Sequence, residues 1–372
     1  TRILADFGAE VIKVQSKKTA KGAEANNTGY FNTWNRNKRS ITLDMSHPEA
    51  REIALKLTSI SDIVIENFSP RVMSNWGMDY ETLKERRPDL VMVSMSAMGH
   101  TGPWKNYVAF GATIQALSGL THLTSFNRYS PMGLGYAYTD AIVGLYATLA
   151  VLAALEYRDK TGHGQHIDIS EYEAACTLLG PAIMYESVHP AEISSEGNRP
   201  NDVHATPHGC YKCLGVDRWC VIAVFNDEEW QRLCQIMGNP AWTRGDRFST
   251  LSRRRKHAKE LDELLGQWTA QHTAEEVVGL LQGAGVSAGV VQDAEDLAKD
   301  PHLRARDFFI SLEHPILSRT ISDASPIKFK GGSRAGWKAA PLLGEDNRYV
   351  YTKLLGFTED ELSSYVRKGI IG

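Results

Sequence analysis

The sequence predicts an α/β protein whose larger part is a Rossmann-like, doubly wound parallel sheet, and two observations support this. In residues 1–100, short runs rich in β-branched and apolar residues alternate with helical patterns, as in strand–helix–strand units. Those runs lack the polar–apolar alternation of half-exposed strands, which favours parallel strands buried on both faces. In such a sheet, ligands bind beyond the carboxyl ends of the strands.

The predicted elements follow one another along the chain. The helix after the second strand opens on Ser46 and Glu49, which have the spacing of a capping box. The short helix in DYETLKERRP is stopped by Pro88. Strands are predicted at 9–14, 40–45, 62–67, 90–95 and 164–170. Further helices are predicted at 109–120, 141–158 and 171–188.

The start of the chain is unusual for this class of fold. The segment TRILADFGAEVIKVQ reads as the end of a helix, a cap at Gly8 and a strand. Because an α/β domain rarely starts on a helix whose preceding strand is absent, we expect that N-terminal residues are missing from this sequence.

Two polar stretches that contain Gly and Pro, residues 189–207 and 321–346, are predicted linkers. A second, smaller α/β unit is predicted at 205–322, and it begins with two strands around a Gly-Val-Asp turn. Its later elements are helices near 227–237, 254–270 and 273–283 and a strand at 286–291. The chain closes on a helix that Thr358 leads and Gly369 follows.

Composition and charge exclude several classes of protein. The chain has 372 residues, of which 42% are hydrophobic and 23% charged, and its net charge of −3 predicts no general attraction to nucleic acid or membrane. The longest apolar stretch, 141–155, is too short and too mixed to predict a membrane span, and no secretory signal is visible. Five cysteines, an odd number, suit a reducing compartment, so a cytoplasmic location is expected.

Two clusters are weaker candidates for chemistry. Cys210 and Cys213 belong to a group of cysteines and histidines near residues 204–220, but their odd spacing in a predicted strand places them on opposite faces. Structural cysteines are therefore favoured, and no metal is predicted. The basic run 252–259 is interpreted as a solvated start of a helix, with an anion contact left open.

The motif NRNKRS is a further candidate for ligand binding. Its Lys38 and Arg39 precede a strand and could face a phosphate-bearing ligand.

Asp140 is the most informative single carboxylate, because it stands directly before the most apolar helical run of the chain. Aspartate is among the preferred N-cap residues, so a purely structural role as a helix cap is one interpretation. The alternative is a covalent nucleophile, since a charged but poorly hydrated carboxylate is well suited to attack an acyl group. The residues alone leave both interpretations open.

The sequence resembles the class III coenzyme A transferases, the group of formyl-CoA, carnitine and benzylsuccinate CoA-transferases. The matching motifs occur in the family order and span nearly the whole chain. They are LADFGAEVIKV, NRNKRSITLDM, VIENFSP, GHTGPW, ALSGL, TDAIVGLYATLAVLAALEYRDKTGHGQHIDIS, HGCYKCLGVDRW and APLLGE.

The resemblance implies a function for Asp140. It matches the family nucleophile, which forms a mixed anhydride with the acyl group of an acyl-CoA donor and then an aspartyl-CoA thioester, before a carboxylic acid accepts the CoA. Acyl-CoA and the acid are substrates, and no permanently bound cofactor is expected. The CoA cleft is expected at Leu43, Asp44, Met45, Ser46, Asn67 and Phe68, with Ser69, Arg71, Lys38 and Arg39 as further candidates.

The resemblance also implies the architecture. A large domain would use both chain ends, 1–190 and 340–372, with the small domain at 205–322 inserted between them. Two ring-shaped subunits would interlock as a homodimer, with the two linkers as the crossings.

Some features depart from the family. Many members carry a basic residue at the position of Asn75, and Arg71, one helical turn earlier, is a candidate replacement.

The main alternative function is that of a 2-methylacyl-CoA racemase, which shares the fold but uses a His/Asp pair. Phe110 occupies the position of that histidine, and His100 is the nearest histidine. An inactive CoA-binding fragment is the third interpretation.

Overall fold

The structure is a computed structural model and describes residues 1–126, 129–188, 197, 204–331 and 336–372. The chain divides into two compact units. The first unit comprises Thr1–Leu120, Gly133–Pro190 and Pro301–Gly372, and the second comprises Thr121–Met132 and Ala191–Asp300.

The described strands are β1 (Ile12–Gln15), β2 (Arg39–Thr42), β3 (Ile63–Glu66), β4 (Val91–Ser96), β5 (His166–Ser170), β6 (His208–Lys212), β7 (Trp219–Ala223), β8 (Ser287–Val290), β9 (Phe309–His314) and β10 (Ser318–Asp323). The described α-helices are α1 (Arg2–Asp6), α2 (Gly29–Asn35), α3 (Pro48–Ser59), α4 (Arg71–Asn75), α5 (Tyr80–Arg86), α6 (Gly111–Leu117), α7 (Leu120–Leu123), α8 (Tyr138–Thr161), α9 (Glu171–Thr177), α10 (Gly180–Val188), α11 (Asp227–Ile236), α12 (Leu251–Lys256), α13 (Ala258–Thr269), α14 (Ala274–Gly283), α15 (Ala294–Lys299), α16 (Pro301–Ala305) and α17 (Glu359–Arg367). A π-helical turn spans Tyr349–Leu354.

The parallel strands predicted in the first part of the chain are confirmed, but they do not form one continuous sheet in the described residues. β1 pairs with β2, and β3, β4 and β5 form a separate three-stranded sheet in that order. In the three-stranded sheet, Ile65, Val93 and Ile167 lie side by side in register. Their face is covered by Ala147 and Val151 of α8. This packing fixes α8 on one face of the sheet.

A second core of the first unit joins distant parts of the chain. Ile41 of β2 is fully buried in one cluster with Tyr351, Ile370 and Ile371. The Tyr351 hydroxyl also donates a hydrogen bond of 2.7 Å to the carbonyl of Thr42, 309 residues earlier in sequence. The last residues of the chain are therefore part of the core that surrounds β2.

Helix α8 is longer than the sequence suggested, with 24 residues instead of the predicted 18. It ends at Gly162, whose positive φ of 75° is a left-handed conformation that glycine adopts without strain. By length and composition alone it could cross a membrane, a test that the core helices of soluble proteins also pass. The predicted apolar stretch, 141–155, is thus only part of this helix, and one side of α8 packs on the β3–β4–β5 sheet.

Three local predictions need correction. Ser46 does not cap α3, because the helix begins two residues later, after His47, and the Ser46 hydroxyl donates to Asp44 instead. The predicted helix 171–188 is broken between Thr177 and Gly180 into α9 and α10. The second predicted linker begins inside an antiparallel hairpin of β9 and β10, which was not predicted. Most of the first predicted linker lies outside the described residues.

The second unit has an antiparallel sheet, in the order β6–β7–β8, packed on helices α11, α13 and α14. The basic run 252–259 falls on α12 and the start of α13, and its interpretation as a solvated face is wrong for Arg254. This side chain is fully buried, lies over Trp230, and pairs with Asp227 at 2.9 Å. It also donates hydrogen bonds to the carbonyls of Thr206 and Phe248, so it holds the unit together from inside.

Candidate active site

Asp140 lies in the first turn of α8, as its third residue, and its side chain is exposed. It is therefore not the N-cap, a position that Ala137 occupies without a side-chain hydrogen bond to the helix. The interpretation of Asp140 as a cap is wrong because the helix begins earlier, at Tyr138. A carboxylate in the first turn is still favoured by the positive end of the helix dipole, by about 0.3–1 kcal/mol.

Glu171 is the immediate partner of Asp140. It is the residue that directly follows β5, and it lies at the carboxyl edge of the three-stranded sheet. The hydroxyl of the fully buried Thr139 donates a hydrogen bond of 2.5 Å to Glu171 Oε1. Asp140 is the next residue of the same helical turn, and its carboxylate lies close enough to Glu171 to act on its pKa. These contacts place Asp140 at the edge of the sheet where ligands of α/β proteins bind.

Burial raises the pKa of Glu171 to about 7, and the negative charge of Asp140 acts in the same direction. The hydrogen bond from Thr139 works against this shift but does not cancel it. The Glu171 carboxyl group therefore keeps its proton to a higher pH than an ordinary glutamate does.

Gly111, the first residue of α6, sits directly against Asp140. A Cβ at this position would lie 2.8 Å from Asp140 Oδ1 and 2.8 Å from the Cβ of Ala137. One turn later on α6, Gln115 donates a hydrogen bond of 2.5 Å to the carbonyl of Tyr136. The start of α6 and the start of α8 are thus fitted closely together, and glycine permits the approach.

Tyr30 of α2 belongs to the same neighbourhood. Burial, followed by the charge of Asp140, raises the pKa of its phenol above the ordinary value. Its side chain remains half exposed, so the phenol is accessible from the solvent side. Tyr30, Gly111 and Glu171 were not among the residues predicted from the sequence.

The predicted CoA residues after β2 surround an ion pair. Asp44 pairs with Lys18 at 2.8 Å, and the Lys18 ammonium also donates to the Ser46 hydroxyl at 3.2 Å. The hydrogen bonds from Lys18 and Ser46 hold the pKa of Asp44 well below its ordinary value. Leu43 is buried in the core and Met45 packs against it, so their side chains face inward. Lys18 follows β1, which runs parallel to β2, and it was not predicted.

The predicted residues after β3 lie on the surface at the carboxyl edge of the sheet. Asn67, Phe68, Ser69 and Arg71 are all exposed. The Phe68 ring meets the Trp76 ring edge-on at 5.3 Å, and the Phe68 amide donates to the buried Glu66 carboxylate at 2.7 Å. Because β3 and β5 are parallel strands of one sheet, this loop and Glu171 share the same edge.

Lys38 and Arg39 are held by protein partners. Lys38 donates a hydrogen bond of 2.8 Å to Asn35, and burial lowers its pKa to about 7. Arg39 pairs with Asp346 at 2.9 Å and lies over the Tyr349 ring. Arg36, in the same motif, is fully buried against Asp6.

His100, the nearest histidine in the racemase interpretation, has its own partners. Its ring lies 3.5 Å from the Glu66 carboxylate, and its backbone amide donates to Asp168 at 3.1 Å. Phe110, at the position of the racemase histidine, precedes α6 and is largely exposed. In the described part of the chain, no group of three or more His, Cys, Asp or Glu residues is arranged to hold a metal ion.

Residues 1–347 match the profile of CoA-transferase family III. The chain belongs to this family. The family predicted from the sequence is confirmed, and so is the enzyme class at the level of the family, since curated homologues are named as CoA-transferases.

Family members resemble this chain over its whole length. The chain is 32% identical to succinyl-CoA–D-citramalate CoA-transferase of Chloroflexus aurantiacus, covering 100% of this chain and 93% of that protein. It is 31% identical to a probable CoA-transferase of Mycobacterium tuberculosis, covering 100% of this chain but only 48% of that longer protein. The chain therefore spans about half the length of this relative and nearly the full length of the other.

The fold has a solved counterpart. A CAIB/BAIF family protein of Brucella suis superimposes with a TM-score of 0.86 at 30% identity, covering 95% of this chain and 94% of that one. The mixed α/β fold with parallel sheets, as predicted, is thus confirmed.

Proposed function

We propose that this chain transfers coenzyme A from an acyl-CoA donor to a carboxylic acid, with Asp140 as the covalent nucleophile. The observation that carries the proposal is the exposed Asp140 carboxylate in the first turn of α8, beside a second carboxyl group at the carboxyl edge of a parallel sheet. A residue with only a capping role would occupy the N-cap position, which Asp140 does not.

The first half of the proposed reaction frees the donor acid. A carboxylate oxygen of Asp140 attacks the thioester carbonyl, the C–S bond breaks, and CoA leaves as a thiolate from a mixed anhydride. The thiolate then attacks the Asp140 carbonyl carbon. The C–O bond of the anhydride breaks, which releases the first acid as a carboxylate and leaves an aspartyl-CoA thioester.

The second half uses the same steps in reverse. The acceptor carboxylate attacks the aspartyl-CoA thioester, expels the thiolate and forms a second anhydride with Asp140. The thiolate attacks the acyl carbon of the acceptor, giving the new acyl-CoA and the free Asp140 carboxylate. One anion enters and one leaves in each step, so the cycle needs no external acid, metal or redox partner.

We propose that CoA binds along the carboxyl ends of β2 and β3. Polar and aromatic contacts are available from the exposed Asn67, Phe68, Ser69 and Arg71. At the neighbouring strand end, the ion pair with Asp44 and the hydrogen bond to Ser46 hold the Lys18 ammonium in place. Phosphate groups favour such cationic side chains. Leu43 and Met45 would shape this edge from the core, while Lys38 and Arg39 would act through their positions beside β2.

The curated relatives suggest which substrates to test first. Proteins from Chloroflexus aurantiacus and Haloarcula hispanica are named as transferases that use succinyl-CoA with D-citramalate and mesaconate, respectively. We propose a short dicarboxylic acyl-CoA as the donor. Screening acyl-CoA donors against a panel of carboxylic acids by mass spectrometry tests this choice, and activity confined to aromatic or long-chain acids would contradict it.

The finer architecture is also a proposal. We propose that the large domain combines 1–190 with 340–372 in a Rossmann-like arrangement, that 205–322 forms the inserted domain, and that two subunits interlock as a cytoplasmic homodimer through the linkers 189–207 and 321–346. An exposed apolar stripe on α8, formed by Leu145, Leu149 and Leu152, supports a partner surface, because such contiguous patches are uncommon on monomers.

The nucleophile is tested by trapping. Incubating the protein with acyl-CoA and then hydroxylamine should place a hydroxamate on the peptide that contains Asp140, detected by mass spectrometry. Asp140→Asn should give no adduct and lose at least about 10⁴-fold in turnover, since a covalent nucleophile cannot be replaced by an amide. It should stay folded, because the lost helix-dipole interaction is worth about 0.3–1 kcal/mol.

Two controls complete this test. Asp140→Ala excludes deamidation of the Asn variant back to Asp as a source of residual activity. Interconversion of the two stereoisomers of a 2-methylacyl-CoA by the wild type, without transfer of CoA, would favour the racemase instead. A fully active Asp140→Asn protein would rule out the covalent mechanism.

A further inference from the structure

We propose that Glu171, in its protonated form, is a positioning residue that donates a hydrogen bond to Asp140 and aims its carboxylate at the thioester. This inference rests on the proposed function, because it assigns a role to the neighbour of the nucleophile. It adds a second acidic residue to the site, from a different element of the fold.

The geometry gives Glu171 one fixed and one free oxygen. The Thr139 hydroxyl, buried in the first turn of α8, donates to Oε1 at 2.5 Å. Asp140 is the next residue of that turn, and its charge acts on Glu171, so we place it beside the other oxygen. Thr139 accordingly sets the rotation of Glu171, and Glu171 sets that of Asp140.

The surroundings determine which carboxyl group holds the proton. Glu171 is partly buried at the junction of β5 and α9, whereas Asp140 is exposed. Burial disfavours the charged form, so the proton stays on Glu171. The raised pKa of Glu171, about 7, agrees with this assignment.

The described helices nearest the pair, α2, α6 and α9, contain no lysine or arginine. Helix α6 contributes Gly111 and Gln115, which carry no charge, and α2 contributes the Tyr30 phenol. The remaining titratable side chains on the neighbouring segments are Glu24, Tyr136, Tyr138, Tyr146, His166, Asp168, Tyr172, Glu173 and Cys176. Among these, Glu24 and Tyr136 act on Tyr30 in the same direction as Asp140 does.

A protonated Glu171 has two effects on the proposed reaction. Its hydrogen bond holds one oxygen of Asp140 and leaves the other free to attack the thioester. When the CoA thiolate later attacks the Asp140 carbonyl, negative charge develops on the oxygen that faces Glu171, and the same hydrogen bond stabilises it. The proton remains on Glu171 throughout, so the overall balance of the reaction is unchanged.

The test compares Glu171→Gln, which keeps a donor but cannot titrate, with Glu171→Leu, which has neither property. Glu173→Gln, two residues further on α9 and exposed, is the matched control. Glu171→Leu should lose about 10²-fold in kcat, the usual effect of removing one donor to a developing oxyanion, with little change in KM. In the wild type, kcat should fall as the pH rises through about 7. Glu171→Gln should retain more activity than the Leu variant and lose this decline.

A second readout does not depend on catalysis. Because the folded protein keeps the Glu171 proton up to about pH 7 while the unfolded chain releases it near 4.5, the wild type should lose stability between these values as the pH rises. The difference in melting temperature between wild type and Glu171→Gln should therefore change between pH 4.5 and 7. The difference in melting temperature between wild type and Glu173→Gln should stay constant over the same range.

The outcomes separate the two proposals. If hydroxylamine traps no adduct on Asp140, the proposed function fails, whatever Glu171 does. If the adduct forms but Glu171→Leu keeps the wild-type kcat and pH profile, the role of Glu171 is overturned. A flat stability difference between pH 4.5 and 7 would likewise overturn the protonated state of Glu171.

Discussion

Gly111 shows how closely the chain surrounds Asp140. No side chain fits at this position without displacing either the Asp140 carboxylate or Ala137. A glycine is normally replaced by alanine in a helix with a gain in stability, because the unfolded chain loses conformational freedom. Here the contact with Asp140 reverses that expectation.

We predict that Gly111→Ala lowers kcat by at least about 10-fold and destabilises the protein by about 1–3 kcal/mol, the usual range for overpacking. Steady-state kinetics and thermal denaturation measure the two effects. The control is Gly279→Ala in α14, where a Cβ would meet nothing within 4 Å. That variant should keep its activity and gain about 0.5–1 kcal/mol. Unchanged kcat in Gly111→Ala would show that the orientation of Asp140 is not constrained from α6.

The sequence identified Asp140 but not its surroundings. The carboxylate was visible because it precedes an apolar run and matches a family motif, both of which are local features. Its exact helical position was misjudged because Tyr138 and Thr139 gave no clear start signal. Glu171 lies 31 residues further along the chain and reaches Asp140 only through the pairing of β5 with β4. Such a contact depends on tertiary structure, which no local pattern encodes.

Among the elements, the short helix α12 depends on a buried charge. Arg254 pairs with Asp227 of α11 and binds two backbone carbonyls, so its guanidinium is satisfied inside the second unit. Removing such a group leaves buried polar atoms without partners. Arg253, its neighbour on the same helix, is exposed and pairs with Asp246 at the surface.

We predict that Arg254→Leu destabilises the second unit by about 3–5 kcal/mol, the cost of breaking a buried charge pair. Arg253→Leu should cost at most about 1 kcal/mol, since exposed ion pairs contribute little. Chemical denaturation of both variants, monitored by tryptophan fluorescence, makes the comparison. Equal stability of the two variants would contradict the structural role of Arg254 and restore the interpretation of this run as a solvated face.

Helices and strands with a clear apolar run or capping signal in the sequence were predicted. The β9–β10 hairpin, whose residues mix polar and apolar types, was not. The apolar strands β3 and β4 and the capped helix α17 were recognised because burial on both faces and a capping box are local signals. The hairpin of β9 and β10 was missed because Arg319, Thr320 and Ser322 resemble loop residues. Arg36, the residue after α2, holds the hairpin through hydrogen bonds to Ser322 and Asp323, and this distant contact cannot be predicted from the hairpin sequence.

For the whole molecule, the apolar stripe on α8 is a surface that a single described chain leaves uncovered. Leu145, Leu149 and Leu152 follow the spacing of one helical face, and each is more than half exposed. On the opposite face Val143, Ala147 and Val151 are buried, and the last two pack against the sheet. An apolar face of this kind is expected to be covered in the proposed homodimer.

We predict that Leu149→Glu shifts the protein from dimer towards monomer and lowers its melting temperature, because a charge would be buried at the interface. Sedimentation velocity at micromolar concentration measures the shift. Asp159→Lys, an exposed charge change on the last turn of the same helix, should leave the assembly intact. A wild-type protein that sediments as a folded monomer would contradict the proposed homodimer.

The core that joins Ile41 to Ile370 and Ile371 also affects how the chain folds during synthesis. Its two halves leave the ribosome about 300 residues apart, so the part of this core that Tyr351, Ile370 and Ile371 complete stays open until residue 371 has emerged. The core of the second unit, from Tyr211 to Val286, is complete long before that. The cluster under α8, whose members lie between Leu4 and Ile169, and the core of the second unit should therefore both form before the core around β2 is complete.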